Sequence, residues 1–102
     1  MIRIEFGRNK NEANIAKHGI DMASAIDFEF DTAVVSVDRR KSYGETRNIA
    51  LGYIARRLHV LVFTKRGQTI RVISLRKANK REVNAYHEHA QEAELDSSEG
   101  LG

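Results

Sequence analysis

The sequence predicts an α+β domain of order β-α-α-β-β-β-β-α, with a mostly antiparallel sheet packed by helices on one face. Three observations carry that prediction. Ile2, Ile4 and Phe6 alternate with Arg3 and Glu5, the period-two pattern of a half-buried strand. From Ala33 onward, Val, Ile, Leu, Thr and aromatics come in four runs separated by short polar segments, the pattern of a meander. Two Asn-x-x-Glu spacings, Asn9 to Glu12 and Asn79 to Glu82, have the form of capping boxes and set helix starts on either side of those runs.

Residues 2–6 form the first strand. A short helix follows from the Asn9 box to His18, where Gly19 supplies the left-handed residue that ends it. Asp21 caps a second helix in which Met22, Ala25, Ile26 and Phe30 recur at helical spacing. Ile26, Phe28 and Phe30 also alternate, so an extended path is open there. The four strands are expected over 33–37, 46–54, 58–65 and 69–76, joined by turns at 38–44, 55–57 and 66–68. Val83, Tyr86, Ala90 and Ala93 share one stripe of a final helix opened by the second box. The whole is one domain over 1–95, and Asp96 to Gly102, which has no periodicity, is expected as a flexible tail.

Charge separates the chain into two fields. Residues 1–81 hold all 17 Lys and Arg against eight acidic residues, whereas residues 82–102 hold six acidic residues and no Lys or Arg. A strongly basic body attracts phosphate backbones, and its densest knot is Arg71-Val-Ile-Ser-Leu-Arg76-Lys77-Ala-Asn-Lys80-Arg81, where strand passes to helix. The absence of Cys excludes a disulfide framework and a thiolate zinc site. No run approaches the ~18 apolar residues of a membrane span, and the N-terminus has no apolar signal region, so a soluble, cytoplasmic protein is expected.

Several side chains stand out as chemistry. Glu45 and Arg47, two apart on one strand face, read either as a surface ion pair or as a proton acceptor beside a phosphate-holding guanidinium. Arg71 lies among Ile70, Val72 and Ile73, a costly place for a cation without an anionic partner, either an acid across the sheet or an RNA phosphate. Arg76, Lys77, Lys80 and Arg81 crowd a helix start, where the dipole disfavours cations, which suits phosphate contact. Lys17 and His18 end the first helix, where the imidazole can answer the dipole. Tyr86 falls on the core stripe. No His-x-x-x-His, P-loop or Gly-x-Ser-x-Gly pattern occurs, so a metal site, P-loop hydrolysis and acyl transfer are unsupported. RNA supplies its own nucleophile, the 2′-hydroxyl, and the inventory of Arg, Lys, Glu, His and Tyr suits that reaction without a cofactor.

Three segments in order resemble the BrnT family of type II toxins, which have a RelE-like ribonuclease fold. They are Asn14-Ile-Ala-Lys17-His18-Gly19-Ile20 with the 25–30 segment, Gly44-Glu45-Thr-Arg47 with Gly52, and Arg71-Val-Ile-Ser74-Leu-Arg76-Lys77-Ala78 with Glu82 and Tyr86. The resemblance runs from Glu5 to Tyr86. It implies a cytoplasmic, metal-independent endoribonuclease that inhibits translation by cutting RNA. It also implies a cognate BrnA-type antitoxin that contacts operator DNA. Carried over by position, Lys17, His18, Glu45, Arg47, Arg71, Ser74, Arg76 and Tyr86 are the candidate catalytic surface, with Lys77, Lys80 and Arg81 as RNA-binding cations. Glu45 or His18 would accept the proton, Arg47, Arg71 and Arg76 would stabilise the phosphate, and Tyr86 would orient it. A non-catalytic nucleic-acid-binding module and a heteromeric interaction subunit are the competing readings.

Overall fold

A computed structural model of the chain describes residues 2–39 and 44–101, with the side chains of 92–101 outside the described residues. Its elements are β1 (Arg3–Glu5), α1 (Arg8–His18), a 3-10 helix (Met22–Asp27), β2 (Val34–Val37), β3 (Asn48–Ile54), β4 (Arg57–Arg66), β5 (Thr69–Lys77) and α2 (Lys80–Leu101). The five strands form one mixed sheet in the order β1-β5-β4-β3-β2, with β1 parallel to β5 and the other pairs antiparallel. Residues 40–43 of the turn expected over 38–44 lie outside the described residues. So do the side chains of the tail expected over 96–102, and Gly102 altogether.

The first helix starts differently from the expected capping box. Gly7 is the N-cap, no side chain caps the helix, and Asn9 is already inside it. Glu12 instead reaches Arg8 one turn back, at 3.6 Å, and Asn11 turns inward, its Oδ1 accepting from the Met22 backbone N–H at 2.7 Å and its Nδ2 donating to Asp21 at 3.0 Å. Gly19 takes the left-handed conformation and donates its N–H to Ile15. The second capping box forms as expected: Asn79 Oδ1 accepts from the Glu82 N–H, and a Glu82 carboxylate oxygen accepts from the Asn79 N–H, each at 2.9 Å.

The second helix is shorter and tighter than its spacing suggests. Asp21 caps it through Ala23, but Phe28 is already extended and Ile26 is 63% exposed. The alternating reading won from there, for a tertiary reason: Phe28 and Phe30 both join the core, their rings edge-to-face at 4.8 Å, and Phe30 packs on Phe63. Two residues i and i+2 cannot face one side of a helix. An extended chain lets them, and the Glu29 N–H then bonds the Tyr53 carbonyl on β3.

The helices do not share one face, which corrects the expected packing. Ala50, Leu61, Phe63, Ile70, Val72 and Leu75 meet Met22, Ala25 and Phe28 from the 3-10 segment. On the other side, Leu58, Val60, Ile49 and Leu51 meet Val83 and Tyr86 of α2. Both sides of the central strands are apolar over part of their length, so each demands cover. Gly52 shows how close the first packing is: a Cβ there would lie 2.7 Å from the Phe28 ring and 3.0 Å from Ala33.

Candidate active surface

Between β4 and β5 the pairing slips. Val62 pairs with Ser74 but Phe63 pairs with Val72, so Ile73 is an extra residue on β5. Simple alternation would put Arg71 on the side opposite Ser74 and Arg76. The bulge cancels that: Arg71, Ser74 and Arg76 pair with Thr64, Val62 and Val60, which share one side of β4. All three therefore project on the side that α2 covers only at the Leu58–Val60 end. Alternation carried back from Ile49, which packs on that side, adds Arg47, whose carbonyl accepts from the Asp38 N–H. Lys77 pairs with His59 and so stands on the opposite side, while Lys80 and Arg81 are exposed in the first turn of α2.

Across this surface runs a chain of alternating charges. Arg66 holds Glu45 with two nitrogens, at 2.8 and 3.2 Å, and approaches Glu5 at 3.5 Å. Arg71, the register partner of Glu5, reaches the same carboxylate at 3.5 Å. Glu5 is thus the acid across the sheet that the apolar neighbours of Arg71 demanded, and its contact is long for a charge-assisted bond. The guanidinium also lies against the α1 start, where a Cβ on Gly7 would come within 3.4 Å of its Nη2. Glu45 pairs with Arg66 rather than with Arg47, and that bond holds its carboxyl below the usual carboxylate range.

His18 is placed by a polar anchor. β1 pairs only with residues 69–71 of β5, leaving the strand's further edge without a strand neighbour there. The Asn14 side chain fills that edge. Its Oδ1 accepts from the Leu75 N–H at 3.1 Å, and its Nδ2 donates to the Leu75 carbonyl at 2.9 Å and the Ile20 carbonyl at 2.8 Å. Asn14 is the buried residue of α1, so the helix is docked by an amide rather than an apolar stripe. One turn on, half-buried His18 is held below its usual pKa by burial, then by Lys17 and by Arg76. The imidazole is therefore mostly neutral near pH 7 and able to accept a proton.

Arg76 gives both terminal nitrogens to Glu82, each at 2.7 Å. Tyr86 is buried, its ring edge-on to Tyr53 at 5.5 Å and its hydroxyl donated to the Thr32 carbonyl at 2.9 Å. Among the described residues no three His, Cys, Asp or Glu side chains gather as a metal site, and no helix is long and apolar enough to cross a membrane.

A family model described as the ribonuclease toxin BrnT of type II toxin-antitoxin systems matches residues 6–82. The chain belongs to the BrnT family. Among solved structures, the crystal structure of the Brucella abortus ribonuclease toxin BrnT is 28% identical with a TM-score of 0.60, the match covering 78% of this chain and 100% of that one. No curated protein sequence matches the chain. A type II toxin of this family implies an antitoxin partner and an RNA target.

The BrnT match ends at Glu82, the residue that clamps Arg76, and takes in the whole charge chain except Glu5. Reasoning from sequence singled out neither Arg66, which it placed in a hairpin turn, nor the anchoring role of Asn14. Glu82 figured there as a cap and within the family resemblance, not as the partner of Arg76. Its second function had one signal, a cation six residues earlier at the end of the preceding strand.

Proposed function

We propose that this BrnT-family chain is a RelE-like, cytoplasmic, metal-independent endoribonuclease that inhibits translation by cutting RNA. A BrnA-type antitoxin, which also contacts operator DNA, holds it inactive. One observation carries the reading: the bulge at Ile73 gathers Arg71, Ser74 and Arg76 on one side of the sheet, near the helix end that bears Lys17 and His18. The RNA 2′-hydroxyl attacks the adjacent phosphorus, forming the 2′-oxygen to phosphorus bond as the bond to the 5′-oxygen breaks. His18 takes the hydroxyl proton, and the departing 5′-oxygen takes one from Lys17 or solvent. Glu45, the other acceptor the sequence offers, serves better as the clamp on Arg66, because both its oxygens are engaged there. Arg71 exchanges its long contact with Glu5 for a phosphate oxygen and, with Arg47, meets the charge of the phosphorane. Ser74 hydrogen-bonds the strand, Arg76 acts on His18 through its charge, and Tyr86 keeps α2 and the loop at Thr32 in place. Lys77, Lys80 and Arg81 draw in the flanking backbone.

The test is product chemistry. Purified protein incubated with RNA in EDTA should yield 2′,3′-cyclic phosphate and 5′-hydroxyl ends. Arg71→Ala should cut the rate about a hundredfold or more while leaving the fold intact. The binding-only reading gains from the engagement of Arg76 by Glu82. It requires that RNA be retained with no new ends.

A further inference from the structure

The side of the sheet away from Arg71, Ser74 and Arg76 is only partly covered by the 3-10 helix and Phe28. Beyond them an open groove of about 520 Å³ crosses the strands, with Phe63 and Ile70 as its buried floor and Ile2, Phe30 and Val35 along its sides. Through Ile2 and Phe30 it continues into hollows that bear Ile26 on one side and Glu29 and Asp31 on the other. Ile2, Ile26, Val35 and Val37 are 45%, 63%, 50% and 42% exposed, four of the five exposed large apolar side chains among the described residues. Val37 adjoins the groove through its register partner Asn48. Scattered apolar side chains are ordinary on a surface, but four gathered round one groove mark a contact site.

Charge decides what fits. Glu29 and Asp31 are exposed on the rim, with Lys65 at the far end. RNA would bring its phosphates against those carboxylates. A second copy meeting this patch with its own would set the same carboxylates against one another. A polypeptide whose apolar side chains are flanked by Lys or Arg meets both the floor and the rim. We propose that the groove receives such a segment of the cognate antitoxin, which rests on the toxin-antitoxin reading above. Because the groove and Arg71 lie on opposite sides of one sheet, capture of the toxin and cleavage of RNA are separable by mutation.

The experiment titrates purified cognate antitoxin into the full-length chain by calorimetry. The variants are wild type, Glu29→Lys, Glu29→Lys with Val35→Asn, and Arg71→Ala. Both groove variants should lose affinity, the double variant about tenfold or more, while cleaving RNA at the wild-type rate in the absence of antitoxin. Arg71→Ala should bind antitoxin as wild type does. Unchanged binding by the groove variants, or a loss confined to Arg71→Ala, overturns the proposal. Should the double variant fail to fold, Glu29→Lys alone decides, since it leaves the apolar surface intact. No binding of antitoxin to the wild type would refute the toxin-antitoxin reading itself, and the groove assignment with it.

Discussion

Glu82 accepts both terminal nitrogens of Arg76 and, through one oxygen, the Asn79 N–H, so a single carboxylate joins the end of β5 to the start of α2. Those bonds hold its carboxyl below the ordinary value of 4.5. A carboxyl with a lowered folded pKa contributes stability above its unfolded value and loses it as pH falls through the folded one. Thermal unfolding followed downward from neutral pH should show that acid-side loss in wild type, and Glu82→Gln should flatten it. His18 acts on the same acid side, through activity rather than stability. Its depressed pKa puts the acid limb of cleavage below 6.5, and Lys17→Met should move that limb upward by removing one of the causes. A pH-rate profile unmoved by Lys17→Met would remove His18 as proton acceptor. Asn14→Leu strands the Leu75 N–H and carbonyl, and should cost roughly 1–3 kcal/mol in urea unfolding. The sequence showed His18 and Arg76 as chemistry because charge at a helix or strand end is visible without coordinates, and Arg71 because a cation among Ile70, Val72 and Ile73 is equally visible. The partners of those residues were not visible, since Glu5 to Arg71 and Asn14 to Leu75 are contacts of 66 and 61 residues' separation.

At the scale of elements, alternation made β1 legible, runs of Val, Ile, Leu, Thr and aromatics between polar turns made β2 to β5 legible, and the Asn79 box made the start of α2 legible. Local rules failed where tertiary demands overruled them. The Asn9 box lost to a start at Gly7 because Asn11 was drawn to the 3-10 segment. Met22 to Phe30 carried both periods, and the core needed Phe28 and Phe30 side by side. The bulge had no local signature: Arg71-Val-Ile-Ser-Leu-Arg76 reads as an unbroken strand, and its parity assigns Arg71 to the wrong side. Gly52, by contrast, could be noticed in sequence but explained only by the Phe28 ring lying over it. Gly52→Ala should therefore destabilise the fold by about 1–3 kcal/mol, measured as a lower melting temperature with the cleavage chemistry retained below it.

For the molecule as a whole, one sheet separates two unlike surfaces. One side presents Arg71, Ser74, Arg76 and the Glu5, Arg66, Glu45 chain, and the other an apolar groove with an acidic rim. The basic body should make RNA affinity fall linearly with salt on logarithmic axes. Alanine at Lys80 or Arg81 should reduce that slope by about 0.7 for each phosphate that the missing cation no longer neutralises. Filter binding across a salt series checks this. The central claim is that RNA is bound and cut on the side gathered by the bulge. It is tested most directly by amide and side-chain NMR shifts of the full chain on titration with a 2′-O-methyl RNA, which binds without being cleaved. Shifts concentrated at His18, Arg66, Arg71, Ser74 and Arg76 are the expected result. Shifts concentrated at Ile26, Glu29, Asp31 and Val35, with Arg71 and Ser74 unmoved, would contradict it.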